Sequence, residues 1–284
     1  MSAKDTSTPV PADHADVLAS LLARGRPLVM GVLNVTPDSF SDGGRFLDPA
    51  AAVAQARRMV EEGADIIDIG AESTRPYGDA KPVDAAEERR RLEPVIDAVV
   101  ALGVPVSIDT MKAEVAAWAL DRGAAIANDV WGLQRDHAMA RVVAERGVPV
   151  IVMHNRDAAG ETIDILADID DFFARTLAIA EAAGIARDRL VLDPGIGFGK
   201  TPAQSLQALA GITRLARFGL PILVGASRKR FIDFVSPAPP DRRLGGSIAA
   251  HLLAVLDGAR IVRVHDVEAT VQAIRVAAAI RSRT

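Results

Sequence analysis

Arg263 and His265 stand two residues apart near the end of the chain. In an extended strand both side chains point to one side and Val264 to the other. Arginine offers a planar fork that matches phosphate oxygens, and the imidazole adds a second donor. Asn34 closes the first apolar run, and it joins them if the last strand pairs with the first. An amide, a guanidinium and an imidazole then converge on one anion. Asp109 and Asp193 also end apolar runs. An ionised carboxylate in such a place is costly unless something donates to it, and a heterocycle with amino and ring N–H groups would do so. Asn128 and Lys229 complete a rim of that kind. Buried donors and acceptors discriminate strongly against analogues that lack the matching groups.

The elements that must carry these residues are legible from hydropathy. Eight short β-rich apolar runs span 28–35, 65–70, 104–109, 124–128, 148–153, 190–193, 221–225 and 260–264. Between them lie segments with helical spacing: 49–62, 84–101, 112–122, 137–146, 168–184, 202–217, 227–235 with 245–257, and 266–281. Continuous apolar runs suit strands buried on both faces, as in a parallel sheet covered by helices. Gly63, Gly103, Gly123, Gly147, Gly219 and Gly258 each stand between a helix and the next strand, where a left-handed residue is wanted. Eight βα units predict a single-domain α/β fold, a (β/α)8 TIM barrel over 26–284, preceded by a tail and short helix over 1–25. The competing fold, a doubly wound open sheet, calls for a glycine-rich turn after the first strand. Leu33-Asn34-Val35-Thr36-Pro37-Asp38 stands there instead.

In a TIM barrel the working groups sit at the C-terminal ends of the strands. The polar residues collect there: Asn34 and Thr36, Glu72-Ser73-Thr74-Arg75-Pro76, Asp109, Asn128-Asp129, Met153-His154-Asn155, Asp193, Ser227-Arg228-Lys229, and Arg263 with His265. A single Asp, Asn or Ser after a strand is most often a helix N-cap. Lysine, arginine and histidine do not cap helix N-termini, so the mixture at eight successive run ends points to a site.

The composition excludes several chemistries. The 284 residues carry a net charge of -4, against the basic bias that nucleic-acid binding needs. There is no cysteine, which removes thiol nucleophiles, disulfides and zinc–thiolate sites. No stretch reaches the roughly 18 apolar residues of a membrane span, and the expectation is a soluble cytoplasmic protein. Pro194-Gly195-Ile196-Gly197-Phe198-Gly199-Lys200-Thr201 imitates a P-loop but has Pro194 in place of its first glycine, and Lys200 breaks a G-x-G-x-x-G pattern. The five histidines are scattered. A Mg²⁺ ion held by substrate phosphates and one amide oxygen is compatible with what remains.

Gly31–Gly44, with Asn34, Thr36, Asp38 and Phe40, resembles the first loop of the dihydropteroate synthase family, and Glu72-Ser73-Thr74-Arg75-Pro76 resembles its second. Ser107-Ile108-Asp109-Thr110, Asn128-Asp129-Val130, the run Asp193–Lys200, Ser227-Arg228-Lys229 and Arg263-Val264-His265-Asp266 match its later motifs in order, so the resemblance covers residues 27–281. It implies a pterin-binding barrel that joins (7,8-dihydropterin-6-yl)methyl diphosphate to 4-aminobenzoate, giving 7,8-dihydropteroate and diphosphate in folate biosynthesis. By resemblance Asp109, Asn128, Asp193 and Lys229 hold the pterin, with Met153 and Phe198 lining its pocket. Asn34, Thr74, Arg263 and His265 take the diphosphate, and Asn34 also binds Mg²⁺. Phe40, Arg75, Pro76 and Ser227 build the 4-aminobenzoate pocket. Asp38, Asp109, Asp193, Lys229, Arg263 and His265 are the implied catalytic groups.

The resemblance further implies a homodimer formed through the late helices. The segment 245–257, with Ile248, Leu252, Leu253, Val255 and Leu256, is more apolar than one buried face requires, although internal packing explains it equally well. Two features depart from the family pattern: Asn155-Arg156 after the fifth strand, where Met-Gln is usual, and a longer second loop through Tyr77–Lys81. Two rival functions use parts of the same rim. One is a methyltetrahydrofolate-dependent corrinoid methyltransferase, which needs no diphosphate clamp. The other is a non-catalytic pterin-binding paralogue.

Overall fold

Successive side chains of a strand point to opposite faces, so a strand enclosed on both sides must feed two apolar clusters at once. The chain does this in a computed structural model that describes residues 17–36, 48–72 and 83–283. In β1 (Leu28–Asn34), Val29 and Leu33 join the layer under the helices, while Leu28 and Met30 face inward. The same alternation runs through β2 (Ile66–Gly70), β3 (Val106–Asp109), β4 (Ile126–Asp129), β5 (Val150–Met153), β6 (Leu190–Asp193), β7 (Leu223–Val224) and β8 (Ile261–Val264). Each strand start lies within two residues of its expected place.

The strands are parallel, in the order β6-β5-β4-β3-β2-β1-β8-β7. A parallel bridge between Leu192 and Ile222 joins β6 to β7, with Leu192 N donating to Pro221 O at 2.9 Å, and closes the ring. The expected (β/α)8 barrel is therefore the observed fold. Its floor is Leu28, Ile66, Ile126, Ile151, Val191, Leu223 and Ile261, plugged from below by Leu18 and Leu21 of α1 (Val17–Leu22). An apolar floor leaves only the opposite end for polar chemistry.

The outer layer comprises α2 (Pro49–Glu61), α3 (Ala85–Leu92), α4 (Ile96–Val100), α5 (Ala113–Asp121), α6 (Ala138–Arg146), α7 (Ile165–Ala182), α8 (Pro202–Ala210), α9 (Arg230–Val235), α10 (Leu244–Leu256) and α11 (Val267–Arg281). Four expected helices differ. The one expected from 168 begins at Ile165, because the Asp164 side chain caps it by accepting from Leu166 N and Ala167 N. The segment 84–101 is two helices, because Pro94 has no N–H to continue the ladder. Segment 202–217 turns into a 3₁₀ stretch, Ile212–Phe218, after Gly211. The helix expected to begin at 227 begins at Arg230, because Arg228 takes a left-handed φ of 57°. All six inter-element glycines take the expected positive φ, between 61° and 104°. Among the described residues no helix is long and apolar enough to cross a membrane.

Candidate active site

The inward parity that builds the floor continues upward and turns polar. Asp68, Asp109, Asn128, Asp193 and Arg263 lie two residues beyond floor positions or on the same alternation, so their side chains enter the barrel near its C-terminal end. Asp109 pairs across the sheet with Asn128, and Asp193 with Met153. Arg263 ties the set together. Its Nε donates to Asp68 Oδ2 at 2.5 Å and its Nη2 to Asp109 Oδ2 at 2.6 Å. Asn128 Nδ2 donates to the same Asp68 carboxylate at 3.2 and 3.3 Å. Asp68 is fully buried. Gly70 leaves room for this arrangement, since a Cβ there would stand 3.2 Å from Asp109 Cβ.

Burial sets the protonation of these groups. It pushes the Asp109 carboxyl up, against the pull of Arg263, and nearby Asp68 adds to the rise. It raises Asp193 as well, opposed by Lys229 and by the Gly195 N–H, which donates to Asp193 Oδ1 at 2.7 Å. Burial alone would lower Arg263, but Asp68 and Asp109 outweigh it and hold the guanidinium above its ordinary value. Asp109 Oδ1 is buried and has no hydrogen-bond donor among the described residues. Asp129 is different: its two oxygens accept from Trp131 N at 2.9 Å and Leu133 N at 2.7 Å, so it braces a turn.

Beside the polar set lies a small apolar wall. Met153, Phe198 and Val130 are buried together, with Met111 and Trp131 against them. Lys229 Nζ sits 4.6 Å from the centre of the Phe198 ring and donates to Ile196 O. The loop that carries Phe198 is also gripped from below by Lys200, whose Nζ donates to Gly195 O at 2.8 Å and Phe198 O at 3.1 Å.

At the end of β8 the His265 ring and Ser227 are neighbours, with Nδ1 3.0 Å from Oγ, while the His265 backbone N donates to the same Oγ at 3.2 Å. Arg228 is held by Asp266, with Nε 3.0 Å from Oδ2. The anion clamp expected from Asn34, Arg263 and His265 thus has its arginine directed onto Asp68 and Asp109 and its histidine directed onto Ser227. Asn34 is half-buried at the last ladder position of β1, opposite Gly70. Glu72 ties down the start of the second loop: Lys112 Nζ bridges Glu72 and Glu88, and Val83 N donates to Glu72 Oε1 at 3.3 Å.

Asp38, Phe40, Thr74, Arg75 and Pro76 lie outside the described residues. Among those described, no group of three His, Cys, Asp or Glu side chains is arranged to hold a metal ion. Asp68 joins this polar set through Arg263 and Asn128 and is not among the residues expected from the sequence. Its signal was present: a carboxylate alone in Ile66-Ile67-Asp68-Ile69, on the inward parity. Lys200, the ending of the false P-loop, was also passed over.

The model of the pterin-binding enzyme family matches residues 30–265. A probable bifunctional folylpolyglutamate synthase/dihydropteroate synthase of Haloferax volcanii is 50% identical over 89% of this chain, which spans only 30% of that longer protein. A dihydropteroate synthase of Clostridium beijerinckii is 44% identical, with 85% of this chain and 90% of the relative covered. A crystal structure of dihydropteroate synthase from Clostridium difficile in the presence of pteroic acid superposes with a TM-score of 0.86 at 47% identity, covering 90% of this chain and 97% of the other.

Proposed function

Because the chain belongs to the dihydropteroate synthase family of pterin-binding enzymes, we infer that it condenses (7,8-dihydropterin-6-yl)methyl diphosphate with 4-aminobenzoate. The enzyme is a transferase of folate biosynthesis. The C–O bond to diphosphate breaks, a C–N bond to the arylamine forms, and the arylamine releases one proton. One observation carries the reading beyond family membership. Asp109 offers a buried carboxylate oxygen that no donor among the described residues meets, at the mouth of a barrel where Asn128 and Asp193 face the same space. Such a set suits the amino and ring N–H groups of a pterin.

The residues divide the work as follows. Asp109, Asn128 and Asp193 orient the pterin edge-on, while Met153, Phe198 and the Lys229 stem cover its faces. The CH2 next to an electron-rich dihydropterin can shed diphosphate to leave a stabilised cation, so no protein nucleophile is required. Asp109 and Asp193 offset positive charge developing on the ring, and Arg263 and His265 offset negative charge on the departing diphosphate. By the family pattern Phe40, Arg75 and Pro76, with Ser227, take up the arylamine, Thr74 meets the diphosphate, and Asp38 is a further catalytic group.

Mg²⁺ fits the donor set as a substrate-borne ion. Asn34 would supply one amide oxygen at the mouth, with substrate phosphates and water as the further ligands. When bound, it would supply Lewis-acid stabilisation of the diphosphate charge. A homodimer is supported by Leu253, Leu256, Val276 and Ile280, large apolar side chains left exposed on the neighbouring helices α10 and α11. A cytoplasmic location suits a cysteine-free chain acting on small soluble substrates.

The test is to incubate the protein with the pterin diphosphate, Mg²⁺ and 4-aminobenzoate and to quantify dihydropteroate and diphosphate. Equimolar products are expected. Tight pterin binding without turnover would overturn the catalytic reading.

A further inference from the structure

The loop from Pro194 to Thr201 presents Phe198 to the apolar wall and Gly195 N–H to Asp193, and within it Phe198 N donates to Gly195 O at 3.0 Å. Gly195, Gly197 and Gly199 take φ of 63°, 82° and 53°. Glycine gains most freedom on release, so such a path needs pins. The loop also lies hard against the one after β5. A Cβ on Gly195 would fall 1.9 Å from His154 O, and one on Gly199 would fall 2.4 Å from Arg156 Cβ.

Besides Lys229 and Asp193, which meet Ile196 O and Gly195 N, the loop is pinned by a chain of polar groups outside the residues assigned to substrate, with Lys200 and His154 buried at its inner end. Lys200 Nζ meets Gly195 O, Phe198 O and, at 2.7 Å, His154 Nδ1. His154 Nε2 lies 3.1 Å from Asp168 Oδ2, and Arg156 Nε lies 3.3 Å from the same oxygen. The tautomer follows from these partners. A carboxylate only accepts, so Nε2 carries the proton and donates to Asp168, which leaves Nδ1 with a lone pair. Lys200 must then donate to Nδ1 as well as to two carbonyls. That uses three N–H bonds, the full capacity of an ammonium. Burial holds the His154 imidazole neutral, down to about 2. Burial also pulls Lys200 well below its ordinary value, opposed chiefly by the Asp193 carboxylate.

We infer that Lys200, held through His154 by Asp168, is a positioning residue for the pterin pocket. It clamps the 194–199 loop so that Asp193 and Phe198 meet the substrate in register. Arg156, one of the two residues that depart from the family pattern after β5, shares Asp168 and so belongs to this device. The inference rests on the proposed pterin roles of Asp193 and Phe198.

The test compares His154→Phe, His154→Asn, Lys200→Met and Asp168→Ala. Asparagine keeps an acceptor where Nδ1 stood; phenylalanine keeps only the shape. Each protein is assayed for KM of both substrates and for pteroic acid binding by fluorescence titration, which needs no turnover. Lys200→Met and His154→Phe are expected to raise the pterin KM and the pteroic acid Kd about tenfold, the scale of one charge-assisted hydrogen bond. The 4-aminobenzoate KM should stay within about twofold. His154→Asn should recover most of the loss, and Asp168→Ala should show a smaller loss in the same direction. If Lys200→Met fails to fold, the His154 pair and Asp168→Ala decide. Unchanged pterin KM and pteroic acid Kd in the folded variants would overturn the inference, as would both KM values moving together. A wild-type chain that binds pteroic acid without turnover overturns the catalytic reading alone, because the binding comparison still judges the clamp.

Discussion

Arg263 reaches across the barrel from β8 to β2, and its Nε donates to Asp68 Oδ2 at 2.5 Å, where Asp68 is wholly enclosed. Its other arm holds Asp109. The arginine read from sequence as an anion clamp is also the counter-ion of two buried carboxylates. Removing one partner of a buried pair strands the other charge, which costs about 3–5 kcal/mol. Arg263→Ala should therefore lower both activity and stability. Asp68→Asn should cost about 2–4 kcal/mol in urea unfolding and about 100-fold in kcat/KM, close to 3 kcal/mol. The double variant should be far from additive, because both changes break one network. Unfolding curves that place Asp68→Asn at wild-type stability would show that the pair is dispensable.

The difference between Arg263 and Asp68 shows what the sequence could carry. Strand parity and the run ends were readable because each apolar run feeds two clusters, so the barrel, the inward set Asp109, Asn128 and Asp193, and the positive-φ glycines could be anticipated. Asp68 lies inside an otherwise apolar run, two residues below the strand end, where run ends give no signal. Lys200 gives none either, because its side-chain partner His154 becomes a neighbour only when β5 and β6 pair. Pro94 breaks a segment that keeps helical spacing on both sides, so periodicity alone reads 84–101 as one helix.

Asp109 governs a pH effect with a definite sign. Burial raises its carboxyl and Arg263 restrains the rise. If the carboxylate form binds the pterin, kcat/KM for the pterin diphosphate falls as pH drops through the pKa of Asp109. Asp109→Asn should abolish that acidic limb along with most activity. A variant that weakens the restraint, Arg263→Lys, lacks the fork to hold two carboxylates and should move the limb to higher pH. A pH–rate profile of residual activity decides, and a limb at the wild-type position would remove Asp109 as its origin.

Gly195 has no room for a side chain. Alanine there meets the His154 carbonyl at 1.9 Å and must hold a φ of 63°. Strain and overpacking together predict a loss of about 3 kcal/mol or more. Thermal unfolding of Gly195→Ala should show it, together with loss of pteroic acid binding, whereas Gly219→Ala, with open space around its Cβ, should cost about 1–2 kcal/mol for φ alone.

Leu253 and Leu256 are 63% and 51% exposed on α10, where internal packing would have buried them. With Ala249 they fall on one face at helical spacing. Leu253→Glu should shift the sedimenting species from twice the chain mass to the single chain. The folded barrel should persist by circular dichroism. A wild-type protein that sediments as a monomer at micromolar concentration would remove the dimer from the proposal.

His251, on α10, supplies a pH test of the fold itself. Its Nε2 accepts from Ala226 N at 3.1 Å, bracing the end of β7, and burial takes its pKa from 6.5 down to about 3. The unfolded chain therefore binds a proton between these values that the folded chain refuses. Stability from this group is complete above about pH 6.5 and is lost as pH falls toward 3, at about 1.4 kcal/mol per pH unit. Asp109 and Asp193, whose pKa values are raised, act with the opposite sign, so the wild-type curve alone does not isolate the histidine. His251→Gln does, because its amide oxygen can keep the Ala226 bond without titrating. Urea unfolding across pH 8 to 4.5 should find the variant less stable or equal at pH 8 and gaining on the wild type by about 1.4 kcal/mol for each unit below 6.5. Parallel curves for the two proteins would mean that His251 is protonated in the fold.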